Sequence, residues 1–187
     1  LSYNSYGQLS QVLLDGLTTA GGNKLTPYVL YHYSNDRLST VSWHGTDYTF
    51  TYDGFGNQKS ISENGQELIS YIYEDKNGQV KEEIHGTGWR FVYSYDNLER
   101  LSEIGYRPSQ TGAYTTLYTY QYSKDGNLAY IKDHAEGKTY RYYYDLSDRL
   151  VKTVVSDGSF YTYYYDANDN LVKVDEGDAS ERYITEY

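Results

Sequence analysis

Apolar and polar residues alternate in short bursts along this chain, and nearly every burst runs out on a tyrosine. Take Tyr33, Tyr52, Tyr73, Tyr95, Tyr122, Tyr144 and Tyr165 as anchors. Four and two residues before them stand Val29 and Tyr31, Tyr48 and Phe50, Ile69 and Tyr71, Phe91 and Tyr93, Tyr118 and Tyr120, Tyr140 and Tyr142, and Tyr161 and Tyr163. The residues in between are mixed, as with Thr49 and Thr51, Val92 and Ser94, or Thr119 and Gln121. A period of two belongs to a pleated strand, whose successive side chains point to opposite faces. Each burst therefore predicts a strand with one aromatic or aliphatic face and one variable face.

The residues just after each anchor predict a turn. Asp53, Asp96, Asp145 and Asp166 come next in the chain, placed to accept a hydrogen bond from an amide two residues on. Gly56, Gly78 and Gly126 suit positions of positive φ. A second short strand comes after the turn, often as Leu-x-x-Ile/Val: Leu9/Val12, Leu38/Val41, Leu101/Ile104, Leu128/Ile131 and Leu171/Val174. That spacing breaks the alternation, so a bulge or a corner is expected there. A further turn closes the unit at Asp15-Gly16, His44-Gly45, Asn64-Gly65, Glu136-Gly137, Asp157-Gly158 and Glu176-Gly177, pairs that suit tight hairpins.

Aligned on the anchor, the pattern recurs in eight copies, at residues 3–9, 33–38, 52–58, 73–80, 95–101, 122–128, 144–150 and 165–171. The anchors are 30, 19, 21, 22, 27, 22 and 21 residues apart. The long spacings mark insertions at 18–27 and 107–113, which read as longer loops at hairpin tips. Tyr187 falls 22 residues beyond Tyr165, where a ninth unit would start. Residues 1–187 are therefore expected to form a single array, its ninth unit cut short, taken from a longer one.

One hairpin is marginal in water, whereas stacked hairpins bury a shared face and stabilise their neighbours. Sixteen strands would span on the order of 75 Å at about 4.8 Å each, and a twisted sheet so wide curls. The expected fold is all-β: tandem β-hairpin repeats of about 21 residues in a curved, spiralling antiparallel sheet, a partial hollow shell with the tyrosines inward. Propeller blades of about 42 residues are the alternative pairing. Alternate copies show no clear two-fold difference that would favour them.

Composition sharpens this picture. There are 27 Tyr but only 4 Phe and 2 Trp, so the bulky residue of this chain carries a hydroxyl that needs water or a partner. The net charge of −10 argues against a nucleic-acid partner, which would call for a basic stripe. No apolar run approaches the roughly 18 residues of a membrane span, so membrane insertion is not expected. The absence of Cys excludes disulfides and thiolate metal sites.

The recurring Tyr-x-Tyr-Asp-x-x-Gly-Asn/Arg-Leu, clearest at 142–150 and 163–171, resembles the YD repeat of the Rhs (rearrangement hotspot) family. Phe50 replaces the first tyrosine in one copy, and Glu99, Asp148 and Asp169 replace the glycine in others. The resemblance covers essentially the whole chain. It implies a segment of a large secreted or cell-surface bacterial polypeptide, a β-shell that encapsulates or presents a C-terminal toxin or effector; related arrays sit in animal teneurins. The implied partners are the rest of the parent polypeptide and its C-terminal cargo. The family's terminal core carries an Asp-Pro motif for self-cleavage, and no Asp-Pro pair occurs here: Pro27 follows Thr26 and Pro108 follows Arg107. Wall without plug or toxin is what this predicts.

The candidate functional surface is the set of inward tyrosines: Tyr33, Tyr52, Tyr73, Tyr95, Tyr122, Tyr144 and Tyr165 with Tyr31, Tyr71, Tyr93, Tyr120, Tyr142 and Tyr163. These are either the packing face of a sheet or the lining of a wet cavity. A carbohydrate-binding or adhesion module is the alternative function, since aromatic faces stack on sugars, although such modules lean on tryptophan and only Trp43 and Trp89 occur. Asp166-x-Asn168-x-Asn170 opens like a calcium loop, but Leu171 takes the place of its glycine and Gly177 that of its last carboxylate. It reads as a turn. His32, His44, His85 and His134 lack ligand spacing, and no nucleophile context or singled-out carboxylate pair points to an enzyme. No catalytic residue, metal or cofactor is expected, and exposed strand edges invite edge-to-edge self-association.

Overall fold

A computed structural model describes residues 1–13, 17–18, 24–25 and 28–187. Among them every regular element is a strand: β1 (Ser2–Tyr3), β2 (Leu9–Leu13), β3 (Leu17–Thr18), β4 (Lys24–Leu25), β5 (Tyr28–Ser34), β6 (Arg37–Trp43), β7 (Thr46–Tyr52), β8 (Gln58–Glu63), β9 (Gln66–Tyr73), β10 (Val80–His85), β11 (Arg90–Tyr95), β12 (Leu101–Arg107), β13 (Thr115–Tyr122), β14 (Leu128–Asp133), β15 (Lys138–Tyr144), β16 (Leu150–Val155), β17 (Phe160–Tyr165), β18 (Leu171–Gly177) and β19 (Arg182–Glu186). The protein is all-β, built from antiparallel hairpins in sequence order, as the alternation predicts.

The chain divides into two compact units, Leu1–Phe91 with Pro108–Thr111, and Val92–Arg107 with Gly112–Tyr187. In the first, β1 pairs with β2, β2 with β5, and β5 to β10 follow as consecutive antiparallel neighbours. β3 and β4 form a small ribbon of their own. In the second unit, β12 to β19 pair consecutively and antiparallel. The expected turn at Asp15-Gly16 lies outside the described residues, as do residues 19–23 and 26–27 of the first insertion.

The irregular spacing in the second strand of each repeat is a bulge. Tyr122 pairs with Leu128 and Gln121 with Tyr130, so Ala129 is skipped. Val151 and Val172 are skipped in the same way opposite Tyr144 and Tyr165, and Ser39 opposite Tyr33. The extra residue restores phase. With it, Leu128 and Ile131 both face the side of their partners Tyr122 and Tyr120.

The closing turns divide into kinds. His44-Gly45 (φ 52° and 81°) and Asn64-Gly65 (φ 48° and 84°) are two-residue hairpins with both residues left-handed, the geometry that matches strand twist. Glu176-Gly177 is not a turn, contrary to expectation. Gly177 continues β18 opposite Arg182, and the chain reverses at Asp178, whose amide donates to the Glu181 carbonyl at 2.9 Å. The Asp178 carboxylate also accepts the Ser180 and Glu181 amides, which outcompetes the dipeptide signal.

Candidate functional site: the tyrosine face and its turns

Directly opposed residues of an antiparallel pair share a face, so the register maps the surface. In the second compact unit one face carries Tyr118, Tyr120 and Tyr122 on β13, Tyr140, Tyr142 and Tyr144 on β15, and Tyr161, Tyr163 and Tyr165 on β17. Leu128, Ile131, Leu150, Val155 and Val174 alternate with them on the intervening strands. In the first unit Tyr31, Tyr33, Tyr48, Phe50, Tyr52, Tyr71 and Tyr73 take the equivalent places, opposite Val41, Leu38, Glu63, Ile61, Gln58, Glu83 and Val80. Tyr93 and Tyr95 lie on β11 and are half-buried.

All thirteen candidate tyrosines are half-buried. By contrast His32, Thr51, Ile72, Ser94, Gln121, Tyr143 and Tyr164, each just before an anchor, are exposed. The anchors are held by something the period does not reveal. The Tyr33 hydroxyl donates to the Leu9 carbonyl at 2.9 Å, Tyr52 to Leu38 at 2.9 Å, Tyr73 to Gln58 at 2.6 Å, Tyr122 to Leu101 at 2.9 Å and Tyr165 to Leu150 at 2.8 Å. Each acceptor opens the second strand of the preceding repeat, as its first residue or, for Leu38, its second. The phenol therefore clips one repeat to the next while its ring packs on the shared face, a task Phe cannot perform.

Burial raises the phenol pKa of Tyr71, Tyr73, Tyr120, Tyr122 and Tyr144, so these groups stay neutral hydrogen-bond donors. For Tyr142 burial is joined by its neighbours Tyr144, Tyr140, Tyr163 and Tyr120. Between Tyr142 and Tyr161 the buried Thr153 hydroxyl has no hydrogen-bond partner.

The aspartate turns after four of the anchors are built alike. One oxygen of Asp53 accepts the amides of Phe55 and Asn57, and the other the Asn57 side-chain amide. Asp96 binds Leu98 and Arg100, Asp145 binds Ser147 and Arg149, and Asp166 binds Asn168 and Asn170 in the same pattern. The calcium-like Asp166-x-Asn168-x-Asn170 spacing is thus occupied by its own turn. Among the described residues no group of three His, Asp or Glu side chains could hold a metal ion.

Where Gly56 stands at φ 93°, Glu99, Asp148 and Asp169 hold the same turn at φ 62°, 58° and 64°. Asp148 and Asp169 each gain a neighbour in return. The Asn127 side chain donates to Asp148 at 2.7 Å, and Arg149 donates to Asp169 from the preceding turn. At Gly56 that room belongs to Arg37, whose guanidinium would meet a Cβ there. Turn arginines also cover the next anchor ring: Arg37 over Tyr52 at 5.6 Å, Arg100 over Tyr122 at 4.3 Å and Arg149 over Tyr165 at 5.1 Å. Sequence reading missed this role; the only signal was an arginine in the fourth or fifth place after some anchors.

The histidines do not gather. His32 and His44 are exposed, His134 meets the Thr119 hydroxyl at 2.8 Å, and His85 stacks on Trp89 at 3.5 Å while bonded to Glu83.

Five anchor hydroxyls each reach a carbonyl of the preceding repeat, which defines the class: a tandem β-hairpin array. No family model matches the chain. Over 126 residues it is 30% identical to the tRNA nuclease WapA of Bacillus subtilis (strain 168), covering 59% of this chain and 5% of that protein. Over 106 residues it is 31% identical to Teneurin-1 of Homo sapiens, covering 54% of this chain and 4% of that one. Among solved structures, the crystal structure of TcdB2-TccC3 matches 99% of this chain, and 12% of its own, with a TM-score of 0.76 at 19% identity. The Photorhabdus luminescens Tc holotoxin pore matches 96% of this chain, and 11% of its own, with a TM-score of 0.74 at 19% identity. The chain shares the fold of these solved structures, and its recurring Tyr-Asp motif resembles the YD repeat of the Rhs family.

Proposed function

We propose that residues 1–187 form one array that is wall material of a larger, spiralling β-shell, part of a secreted or cell-surface bacterial polypeptide that encloses or presents a C-terminal toxin or effector. The observation that carries this reading is the repeat-to-repeat clip of tyrosine hydroxyl onto backbone carbonyl. Such a clip propagates a sheet indefinitely and leaves the half-buried aromatic face available to line a space. The wall is non-catalytic, its partners are the rest of the polypeptide and the cargo, and nucleic acid is not among them. The likeness to WapA and to Tc toxin components, of which this chain matches a small part, supports the same role.

The test has two parts. The reading frame on either side should encode further YD units followed by an unrelated C-terminal region. In the full polypeptide, that region should resist added protease and become sensitive when Tyr142→Asp opens the wall. A frame without further repeats, or equal digestion in both proteins, would overturn the proposal. Selective binding of one sugar on a glycan array would put the adhesion module in its place.

A further inference from the structure

In the second compact unit the sheet face opposite the tyrosines has a charge pattern of its own. Five charged residues stand in β13 to β17: Lys132, Asp133, Lys138, Arg141 and Lys152. Asp133 and Lys138 oppose each other on the tyrosine face. Lys132, Arg141 and Lys152 point the other way, opposite Thr119, Tyr130 and Tyr143, and all three are exposed. None of the three has an ion-pair partner among the described residues. A chain of net charge −10 thus turns a strip of purely positive charge to solvent across these strands.

The register puts the three cations in a line. Arg141 pairs with Tyr130, two residues from Lys132, and with Val154, two residues from Lys152. Each step is a diagonal between neighbouring strands, about 7 Å between side chains, and both steps climb in the same direction. In an extended peptide, side chains two residues apart lie on one side, about 6.8 Å from each other. A segment with acids at three alternate positions therefore meets the three cations one to one.

We propose that this row is a docking surface, and that its occupant is a short, extended acidic segment of another protein, of the form Glu-x-Glu-x-Glu. Charge and spacing are both complementary to such a segment, and broader polyanions fit less well. Glu136 and Asp157 are exposed in the turns at one end of these strands, and Asp148 and Asp169 at the other. A lipid surface or a nucleic-acid duplex laid over strands of six or seven residues reaches both acidic rims. The bases of a single strand need free ring faces for stacking. Here Arg141 lies over Tyr130 at 6.0 Å and Lys173 over Tyr164 at 5.0 Å. The inference goes beyond the wall reading and rests on strand register in the second unit alone.

The test follows the fluorescence anisotropy of a labelled Ser-Glu-Thr-Glu-Thr-Glu-Ser peptide titrated with the whole chain at low salt. The peptide should bind, and binding should weaken as salt rises. A peptide of the same composition with its three glutamates contiguous should bind about fivefold more weakly. Arg141→Glu should weaken binding by about tenfold. Lys124→Glu, an equal change of charge at an exposed turn, should leave it unchanged. Both variants should keep the circular dichroism and melting of the parent. Equal affinity for the two peptides, equal loss in the two variants, or no binding at low salt would overturn the proposal. So would row-dependent binding of oligothymidylate or of phosphatidylglycerol vesicles by a chain that leaves the peptide free. None of these results bears on the flanking frame or on cargo protection, so the wall reading stands or falls separately.

Discussion

At the scale of the residue, the preference for Tyr over Phe has a local cause. The anchor ring packs like any aromatic, and its hydroxyl meets a main-chain carbonyl of the preceding repeat, as Tyr165 meets Leu150 at 2.8 Å. Removing the oxygen from Tyr165→Phe leaves that acceptor short of a donor and should cost about 1–2 kcal/mol. Tyr164→Phe, on the exposed face next door, should change stability by less than about 0.5 kcal/mol. Equal shifts in thermal melts of the two variants would refute the clip. The anchors themselves were legible, because a period of two marks which side chains share a face. Their acceptors were not, since a backbone carbonyl leaves no trace in residue identity. The arginines over Tyr52, Tyr122 and Tyr165 were hidden for a related reason. They lie near their rings only once consecutive turns are placed side by side.

At the scale of the element, the turn and the bulge do the work of phase. The turn carboxylates are tuned for it. Hydrogen bonds from the Arg100 side chain to Asp96 and from the Arg149 side chain to Asp145 come first in lowering those two pKa values. Asp157, bonded to the Ser159 hydroxyl and amide and to Lys138, falls to about 2. A folded-state value below that of the unfolded chain, about 3.9, gives stability that is present above that pH. It is lost as pH falls through the folded value. The melting temperature should therefore hold steady from neutral pH to about pH 5 and drop between about pH 4 and pH 2. Asp157→Asn should flatten part of that drop. An acid limb unchanged by the substitution would remove Asp157 from the account.

The bulge makes a sharper prediction. Deleting Ala129 would close it and leave Ile131 and Asp133 on their present face, whereas inserting a Gly between Tyr130 and Ile131 would turn both to the opposite face. The insertion should cost cooperative unfolding, whereas deleting Ala129, or Ser109 from the exposed loop beyond β12, should be tolerated. The three-residue Leu-to-Ile spacing announced this bulge. The turn at Asp178 was masked by Glu176-Gly177, because a dipeptide preference is weaker than a carboxylate accepting two amides.

At the scale of the molecule, each repeat leans on its neighbours, since clips, turn ladders and paired strands all run between adjacent hairpins. Stability in such an array is a sum of nearest-neighbour terms, so damage should spread by a repeat or two and then fade. Tyr142 is the place to test this, with Tyr120 and Tyr163 flanking it on the same face. Tyr142→Asp sets a charge among half-buried phenols, which opposes both burial and packing. Hydrogen exchange should accelerate in β13 to β17 and stay unchanged in β5 to β8. The edge strand β19, exposed at every residue and paired only with β18 among the described residues, should already exchange fast in the parent. Placing the charge at Gln121, on the exposed face, should leave the whole profile as it was. If Tyr142→Asp instead raises exchange equally in every strand, the array unfolds as one block. An array of locally stabilised repeats would then be the wrong description.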